Sequence, residues 1–393
     1  MANLPNLSDR EVIIGGGAHA AVYAATRVKL GKRQPVVLEA EARCGGVFTR
    51  LSRVPFWMNS ASGASVDSTG AGPTRIPSRS VTDLLNWLPN CEVQADGPGS
   101  DNQTEYPLST MMGSAIRRSL ARAAEVYTGV RAYVTDVARR EITTQDGDSY
   151  RCGRIIDARG LNMDSRRPEL SMCKELTPVI TAEMFLRGMW PSGISSRGPQ
   201  RVALVGGGDT ACVVAEALLG QGPEGWPFAA ESIDWFAVDL PGSKSDWLDS
   251  KHARYAGLAR HFPQAERRGM IRPRQQRVDT ETVQVIGDAV RVGFDTYDLA
   301  VFCTGFQPAF AEYGPGLADN VYRPGVYRDE RGLWRRDGEY YIVGTAAGLA
   351  QQRGELDKGY SRFPKNTDAL YRLAPETAKL AALLDDAPVS SGY

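Results

Sequence analysis

Residues 201–219 read RVALVGGGDTACVVAEALL: a short apolar run, three glycines and the start of an alanine-rich helix. Earlier in the chain, residues 11–30 read EVIIGGGAHAAVYAATRVKL, the same order of parts. An apolar run of this kind is the signature of a strand buried on both faces of a parallel sheet. The G-x-G-x-x-(G/A) that follows has a physical reason at each position. The first glycine turns sharply out of the strand, the second lets backbone approach a pyrophosphate, and the last small residue lets helix pack closely on strand. In the first copy these are Gly15, Gly17 and Ala20; in the second they are Gly206, Gly208 and Ala211, with Asp209 and Thr210 opening the helix. Free N–H groups at each helix N-terminus then face the phosphates. One such motif is a weak signal, but two in the same setting predict an α/β chain with two Rossmann-like dinucleotide-binding domains.

The strands that follow each motif carry the next signal. Pro35-Val36-Val37-Leu38-Glu39 ends in an acid 22 residues after Gly17, where a carboxylate accepts hydrogen bonds from ribose hydroxyls. After the second motif, Ile233 to Asp239 reads as a strand whose final Asp239 would hold a ribose diol and repel a 2′-phosphate. Lys244, with Ser243, would instead receive that phosphate. The two readings conflict, so the second coenzyme is read as NAD(P)H.

Composition excludes several functions. Lys and Arg number 46 and Asp and Glu 46, so no global field recruits nucleic acid or an anionic membrane. No apolar run reaches the roughly 18 residues of a membrane span, and the N-terminus lacks the basic-then-apolar build of a signal peptide. A cytoplasmic protein is expected, with neither membrane nor nucleic acid among its partners. The six cysteines (Cys44, Cys91, Cys152, Cys173, Cys212, Cys303) contain no CxxC, and the three histidines are not paired as metal ligands would be. No metal site is expected, and the chemistry falls to a bound cofactor.

Arg43-Cys44-Gly45-Gly46 completes E-x-x-x-R-x-G-G from Glu39. With this stretch the chain resembles the two-dinucleotide-binding-domain flavoproteins, whose fold is glutathione-reductase-like and in which these residues lie along FAD. Further on, Asp298 to Phe306 reads DLAVFCTGF. It resembles the D-x-x-x-(L/F)-A-T-G-Y signature of class B flavin-dependent monooxygenases, with the N-hydroxylating branch most similar. No F-x-G-x-x-x-H-x-x-x-(Y/F) lies between the two glycine motifs, which sets the other branches apart. Gly344-Thr345 stands where flavoproteins of this superfamily often have Gly-Asp, the acid bonding the FAD ribityl chain; a threonine can still bond a hydroxyl.

The resemblance implies FAD on Gly15, Gly17, Ala20, Glu39, Arg43, Gly45, Gly46, Gly305, Gly344 and Thr345. It implies NAD(P)H on Gly206, Gly208, Asp209, Thr210, Ala211, Asp239 and Lys244. The FAD domain is then discontinuous, residues 1–165 and 300–393, with an inserted NAD(P)H domain at 166–299. The strand Tyr297 to Pro308 is expected to return the chain to the first domain. Trp57 and Asn59, in a long loop, are candidates for the flavin face, and an ordinary packed loop is an equal alternative. No catalytic residue is otherwise assigned.

The activity so implied is that of an FAD-dependent NAD(P)H oxidoreductase, a monooxygenase whose C4a-(hydro)peroxyflavin oxygenates a small amine or another soft nucleophile. Its partners would be a small-molecule substrate and molecular oxygen, and a homo-oligomer is left open. Two rivals share every motif: a flavoprotein reductase delivering electrons to a quinone or protein acceptor, and a non-enzymatic flavin-binding protein with a decayed nicotinamide site. Further expectations are a helix over 109–126, an antiparallel excursion over 127–150, a domain crossing over 168–198 and a terminal amphipathic helix over 366–384.

Overall fold

The computed structural model describes residues 4–51, 53–56, 109–162, 177–191, 193–194, 198–221, 229–238, 262–279, 282–303, 307–308, 327–328, 334–335, 339–344 and 368–385. In chain order the first elements are β1 (Glu11–Ile14), α1 (Ala18–Lys29), β2 (Val36–Glu39), α2 (Val47–Arg50), α3 (Ser109–Ala123) and β3 (Glu125–Thr128). There follow β4 (Ala132–Asp136), β5 (Glu141–Thr144), β6 (Ser149–Arg151), β7 (Arg154–Asp157), β8 (Leu161–Asn162), β9 (Val179–Thr181) and α4 (Ala182–Leu186). Next come β10 (Arg201–Val205), α5 (Asp209–Leu218), β11 (Ser232–Ala237), β12 (Ile271–Gln275), β13 (Val283–Ile286), β14 (Ala289–Val292) and β15 (Asp295–Tyr297). The chain ends with β16 (Leu299–Phe302), β17 (Gln307–Pro308), β18 (Tyr327–Arg328), β19 (Trp334–Arg335), β20 (Tyr340–Ile342) and α6 (Asp368–Leu383).

Two parallel sheets organise these elements. The larger has the order β18-β19-β20-β7-β1-β2-β3, parallel from β20 to β3 and antiparallel only at its β18–β19–β20 end. The smaller has the order β12-β11-β10-β16-β9 and is parallel throughout. Side chains alternate across each. In the first sheet Ile13, Val37, Ile156 and Tyr341 face the core shared with α1, α3 and α6, while Val12, Leu38, Ile155 and Ile342 face the core under the β4–β6 meander. In the second, Leu204, Trp235 and Val301 pack toward α4 and α5, and Ala203, Phe236 and Phe302 pack toward the β13–β15 meander. Each sheet therefore lies between helices and a three-stranded antiparallel layer, which explains the run of apolar residues along the middle of its central strands, as at residues 12–14 and 202–205.

A buried ion cluster joins the two ends of the chain. Glu11 on β1 accepts from Arg27 of α1 at 2.8 and 2.9 Å and from Arg154 of β7 at 2.6 Å. The same arginines donate to the carbonyls of Leu384 and Asp385 after α6. Charges this deep persist only when paired and hydrogen-bonded.

The structure corrects four expectations. Leu299–Phe302 does not return to the first sheet: β16 pairs with β10 and β9 in the second. The parallel strand of the first sheet that follows is β20, paired with β7. Glu125–Thr128 leaves the helical register at Ala123 and becomes a parallel strand beside β2, so the antiparallel meander is confined to β4–β6. The expected crossing at 168–198 carries an edge strand and helix of the second sheet, β9 and α4. Of the leucines expected on the packing face of the terminal helix, Leu380 and Leu384 are buried and Leu383 is exposed, and the side chains of Leu370 and Leu373 lie outside the described residues.

Candidate dinucleotide sites

In each sheet the strand order reverses beside a glycine turn. The chain moves from β1 outward through β2 to β3, then back to β7 on the other side; it moves likewise from β10 through β11 to β12, with β16 on the other side. Crevices at the carboxyl ends of strands at such switch points are where α/β sheets bind ligands.

The two turns are built alike. Gly15 donates its N–H to the Leu38 carbonyl at 2.9 Å, and Gly206 donates to the Phe236 carbonyl at 2.9 Å. Gly15 has φ +100° and Gly206 φ +124°, a region closed to side chains. A Cβ on Gly15 would stand 2.9 Å from the Ala158 carbonyl at the end of β7, and one on Gly206 would overlap the Cys303 carbonyl at the end of β16. Thus β16 does in the second sheet what β7 does in the first. That is the physical reason for the corrected return: Cys303, the residue before Thr304-Gly305, lies against the second glycine turn.

The second glycines serve a different purpose. Gly17 and Gly208 are both extended, at φ −89° and −88°, so nothing in the backbone demands glycine there. What they leave is room. Among the described residues a Cβ on Gly17 would meet only Gly46 Cα, at 3.8 Å, while a Cβ on Gly46 would come within 3.0 Å of Gly17 Cα. The first turn is thus roofed by the Gly45-Gly46 loop, itself held by the Gly45 N–H on the Gly16 carbonyl at 2.8 Å. At Gly208 a Cβ would meet nothing within 4 Å among the described residues. One site is a slot between two glycines, and at the other Gly208 is exposed.

Neither α1 nor α5 has a side-chain N-cap, and α1 has no acid in its first turn. Their first N–H groups are therefore available to an anion. Glu39 is buried at the end of β2 and accepts from the Gly16 N–H at 2.7 Å and the Glu41 N–H at 2.8 Å. Burial pushes its carboxyl upward, and the two backbone donors pull the other way. Each oxygen keeps a lone pair for a hydroxyl donor. Ala20 is buried where α1 meets the sheet, Ala211 does the same under α5, and Arg43 is exposed. Gly344, at φ +80°, follows β20 and packs on the ring of His19. Thr210 is half-buried in the first turn of α5, and of Asp209 only the backbone is described. Trp57, Asn59, Asp239, Lys244, Gly305 and Thr345 lie outside the described residues.

His19 is a polar group the glycine spacing did not single out. Its Nδ1 lies 3.0 Å from Thr377 Oγ1 on α6, and its Nε2 is buried with no hydrogen-bond partner among the described residues. Burial lowers its pKa to about 4, so the ring is neutral. A polar side chain inside an otherwise alanine-rich helix start was the available signal. An orphaned buried nitrogen, two uncapped helix starts and a glycine slot together fit dinucleotides at these two turns.

Cys44 packs beneath the first turn and Cys303 beside the second, both as buried free thiols; burial raises the pKa of Cys44 to about 12 and that of Cys303 further still. Among the described residues no acid, histidine or cysteine cluster could hold a metal, and no helix is long and apolar enough to cross a membrane.

No protein-family model matches the chain, and no curated protein matches it in sequence. Solved structures do match in fold. A flavin-containing monooxygenase from Stenotrophomonas maltophilia is 18% identical, with a TM-score of 0.52 over 95% of this chain and 98% of its own. The FAD-bound cadaverine monooxygenase of desferrioxamine biosynthesis from Erwinia amylovora is 9% identical, with a TM-score of 0.57 over 99% and 97%. A pyridine nucleotide-disulfide family oxidoreductase from Enterococcus faecalis is 11% identical, with a TM-score of 0.51 over 96% of this chain and 69% of its own. The chain thus shares the mixed α/β fold, with parallel sheets, of these oxidoreductases.

Proposed function

We propose that the chain is an FAD-dependent NAD(P)H oxidoreductase that acts as a monooxygenase, hydroxylating the nitrogen of a small amine. The carrying observation is the pair of matching glycine turns at the switch points of two parallel sheets, one a slot between two glycines and the other exposed at Gly208. A resident cofactor belongs in the slot between Gly17 and Gly46, and an exchanging one belongs at exposed Gly208. FAD is accordingly assigned to the first turn, with Gly15, Gly17, Ala20, Glu39, Gly45, Gly46 and Gly344, and NAD(P)H to the second, with Gly206, Gly208, Thr210 and Ala211. The FAD domain would be discontinuous, built on the seven-stranded sheet, and the nicotinamide domain inserted within it would run past β16 rather than end at residue 299.

When bound, FAD supplies the two-electron and oxygen chemistry that no protein side chain offers. The chain's part is positional. The α1 and α5 N-termini hold the phosphates, Glu39 takes ribose hydroxyls, and the sheets set the distance between the two rings. Overall, NAD(P)H, a proton, oxygen and the amine would give NAD(P)⁺, water and the hydroxylamine. Three observations support this over a dithiol reductase: mutual coverage of 95% or more with the two monooxygenases, the missing CxxC, and the buried, raised thiols of Cys44 and Cys303.

The test is oxygen consumption by the FAD-loaded chain with NADPH or NADH across a panel of primary amines, sulfides and ketones, with products read by mass spectrometry. Amine-dependent hydroxylamine matching the oxygen used is expected. Hydrogen peroxide alone with every compound, together with faster turnover on a quinone, would overturn the monooxygenase reading in favour of a reductase.

A further inference from the structure

The segment after the Gly45-Gly46 loop belongs to both cores. Phe48 of α2 packs in the core beneath α1, whereas Leu51 and Val54, 2% and 1% exposed, pack in the core of the second sheet; Phe56 touches both. Polar contacts pin the segment on each side. The Val54 N–H donates to the Leu186 carbonyl at 3.0 Å, and Gly188, at φ +74°, lies against the stem of Arg53. Phe56 and Ser109 exchange hydrogen bonds, Phe56 N–H to Ser109 Oγ at 3.2 Å and Ser109 N–H to the Phe56 carbonyl at 2.9 Å, which ties the far end to α3.

At the centre is an ion pair between the two halves. Arg50 Nε of α2 lies 3.0 Å from Glu183 Oε1 of α4, and Arg187 reaches the same oxygen at 3.5 Å and Glu41 at 3.7 Å. The Glu183 side chain is 5% exposed, and its Oε2 has no hydrogen-bond partner among the described residues. A carboxylate this buried needs cations beside it, and Arg50 is the nearer of the two that share its Oε1, so losing Arg50 leaves only the longer Arg187 contact.

We propose that residues 47–51 and 53–56 form a strap, pinned by Arg50 and Glu183, that sets the second glycine turn against the first and so places the nicotinamide for hydride transfer to the flavin. Glu183 and Arg50 are positioning residues. They act through the placement of the second sheet, while NAD(P)H is oxidised and FAD takes the hydride. The inference rests on the functional reading above in naming the cofactors, but the mechanical coupling does not.

Glu183→Gln, Arg50→Gln and the double variant, all in the full chain, test it. Anaerobic stopped-flow should show the limiting rate of flavin reduction falling tenfold or more in each single variant, since displacements of about 1 Å can cost 10²-fold. The double variant should be no worse than the singles, and the dissociation constants for FAD and NADP⁺ should stay within twofold. Calorimetry should show one unfolding transition in the wild type and two in the variants. An unchanged reduction rate in a variant that still melts in one transition would overturn the proposal, as would FAD affinity falling in step with the rate. If the wild type bound no FAD, the functional reading would fail, and the calorimetry would still decide the strap: one wild-type transition that splits in the variants supports it, and any other pattern overturns it.

Discussion

Gly208→Val separates the two sites with little disturbance of the fold. Gly208 has φ −88° and ψ −179°, a conformation any residue adopts, and a Cβ there meets nothing within 4 Å among the described residues. The cost to folding should stay within about 0.5 kcal/mol, as for other substitutions that touch no special feature. For a dinucleotide the same side chain occupies the approach to the α5 N-terminus. Losing two charge-assisted hydrogen bonds, at about 1.5–3 kcal/mol each, removes about 3–6 kcal/mol of binding and raises the dissociation constant roughly 10²- to 10⁴-fold. Calorimetric titration with NADP⁺ or NAD⁺ measures this, and flavin absorbance after gel filtration measures FAD retention. Gly17→Val is the mirror experiment, because Gly17 is also extended and its nearest neighbour in that direction is Gly46 Cα at 3.8 Å. It should lose FAD. The reasoning is refuted if Gly208→Val binds the nicotinamide coenzyme normally while remaining folded, or if both variants lose the same cofactor.

The first glycines should behave differently from the second. Gly206→Ala forces a side chain to φ +124° and onto the Cys303 carbonyl, and should lower stability by about 2–3 kcal/mol in urea unfolding, with or without cofactor. Glu11→Ala removes the buried carboxylate that Arg27 and Arg154 share, leaving Arg154 with Glu339 at 2.7 Å and Arg27 with carbonyl acceptors, and should cost about 3 kcal/mol by the same measurement. His19 has a folded pKa of about 4 against 6.5 for the free side chain. Its unfolded form takes a proton first, so its contribution is complete above pH 6.5 and declines toward pH 4, by about 3 kcal/mol in all. The difference in stability between wild type and His19→Gln should follow that curve, and a flat difference would refute the assignment. Cys44 and Cys152, both buried with thiols raised to about 12, should resist alkylation in the native chain and react on unfolding, as read by mass spectrometry.

The parts of the fold that are local in origin were legible in the chain. Val12, Ile13 and Ile14 announce a strand buried on both faces because every neighbour in a parallel sheet offers apolar contact. Gly15 and Gly206 announce the turns because only glycine survives beside another strand's carbonyl. Which sheet β16 joins was not legible: an apolar run ending in Cys303-Thr304-Gly305 looks the same whichever central strand it pairs with. Its place became clear only from the overlap it creates at Gly206. Glu125–Thr128 was not legible as one strand: Glu125 and Val126 carry no turn signal and continue the helical pattern, while Tyr127 and Thr128 read as the start of the antiparallel stretch. At the site, Glu39 was legible as an acid at a strand end, but its bond to the Gly16 N–H was not, since that depends on tertiary approach. His19, Arg50 and Glu183 were missed for the same reason: their roles arise from partners far along the chain, such as Thr377 for His19 and α4 for Arg50.

The central claim is that one chain holds FAD at the first turn and NAD(P)H at the second, with their rings in contact. Anaerobic single-turnover mixing of the FAD-loaded chain with NADPH or NADH, each protiated or deuterated at the transferred position, tests it directly. Bleaching of the flavin absorbance by at least one coenzyme, slowed by deuterium, is the expected result. Tight binding of both cofactors without bleaching would contradict the account.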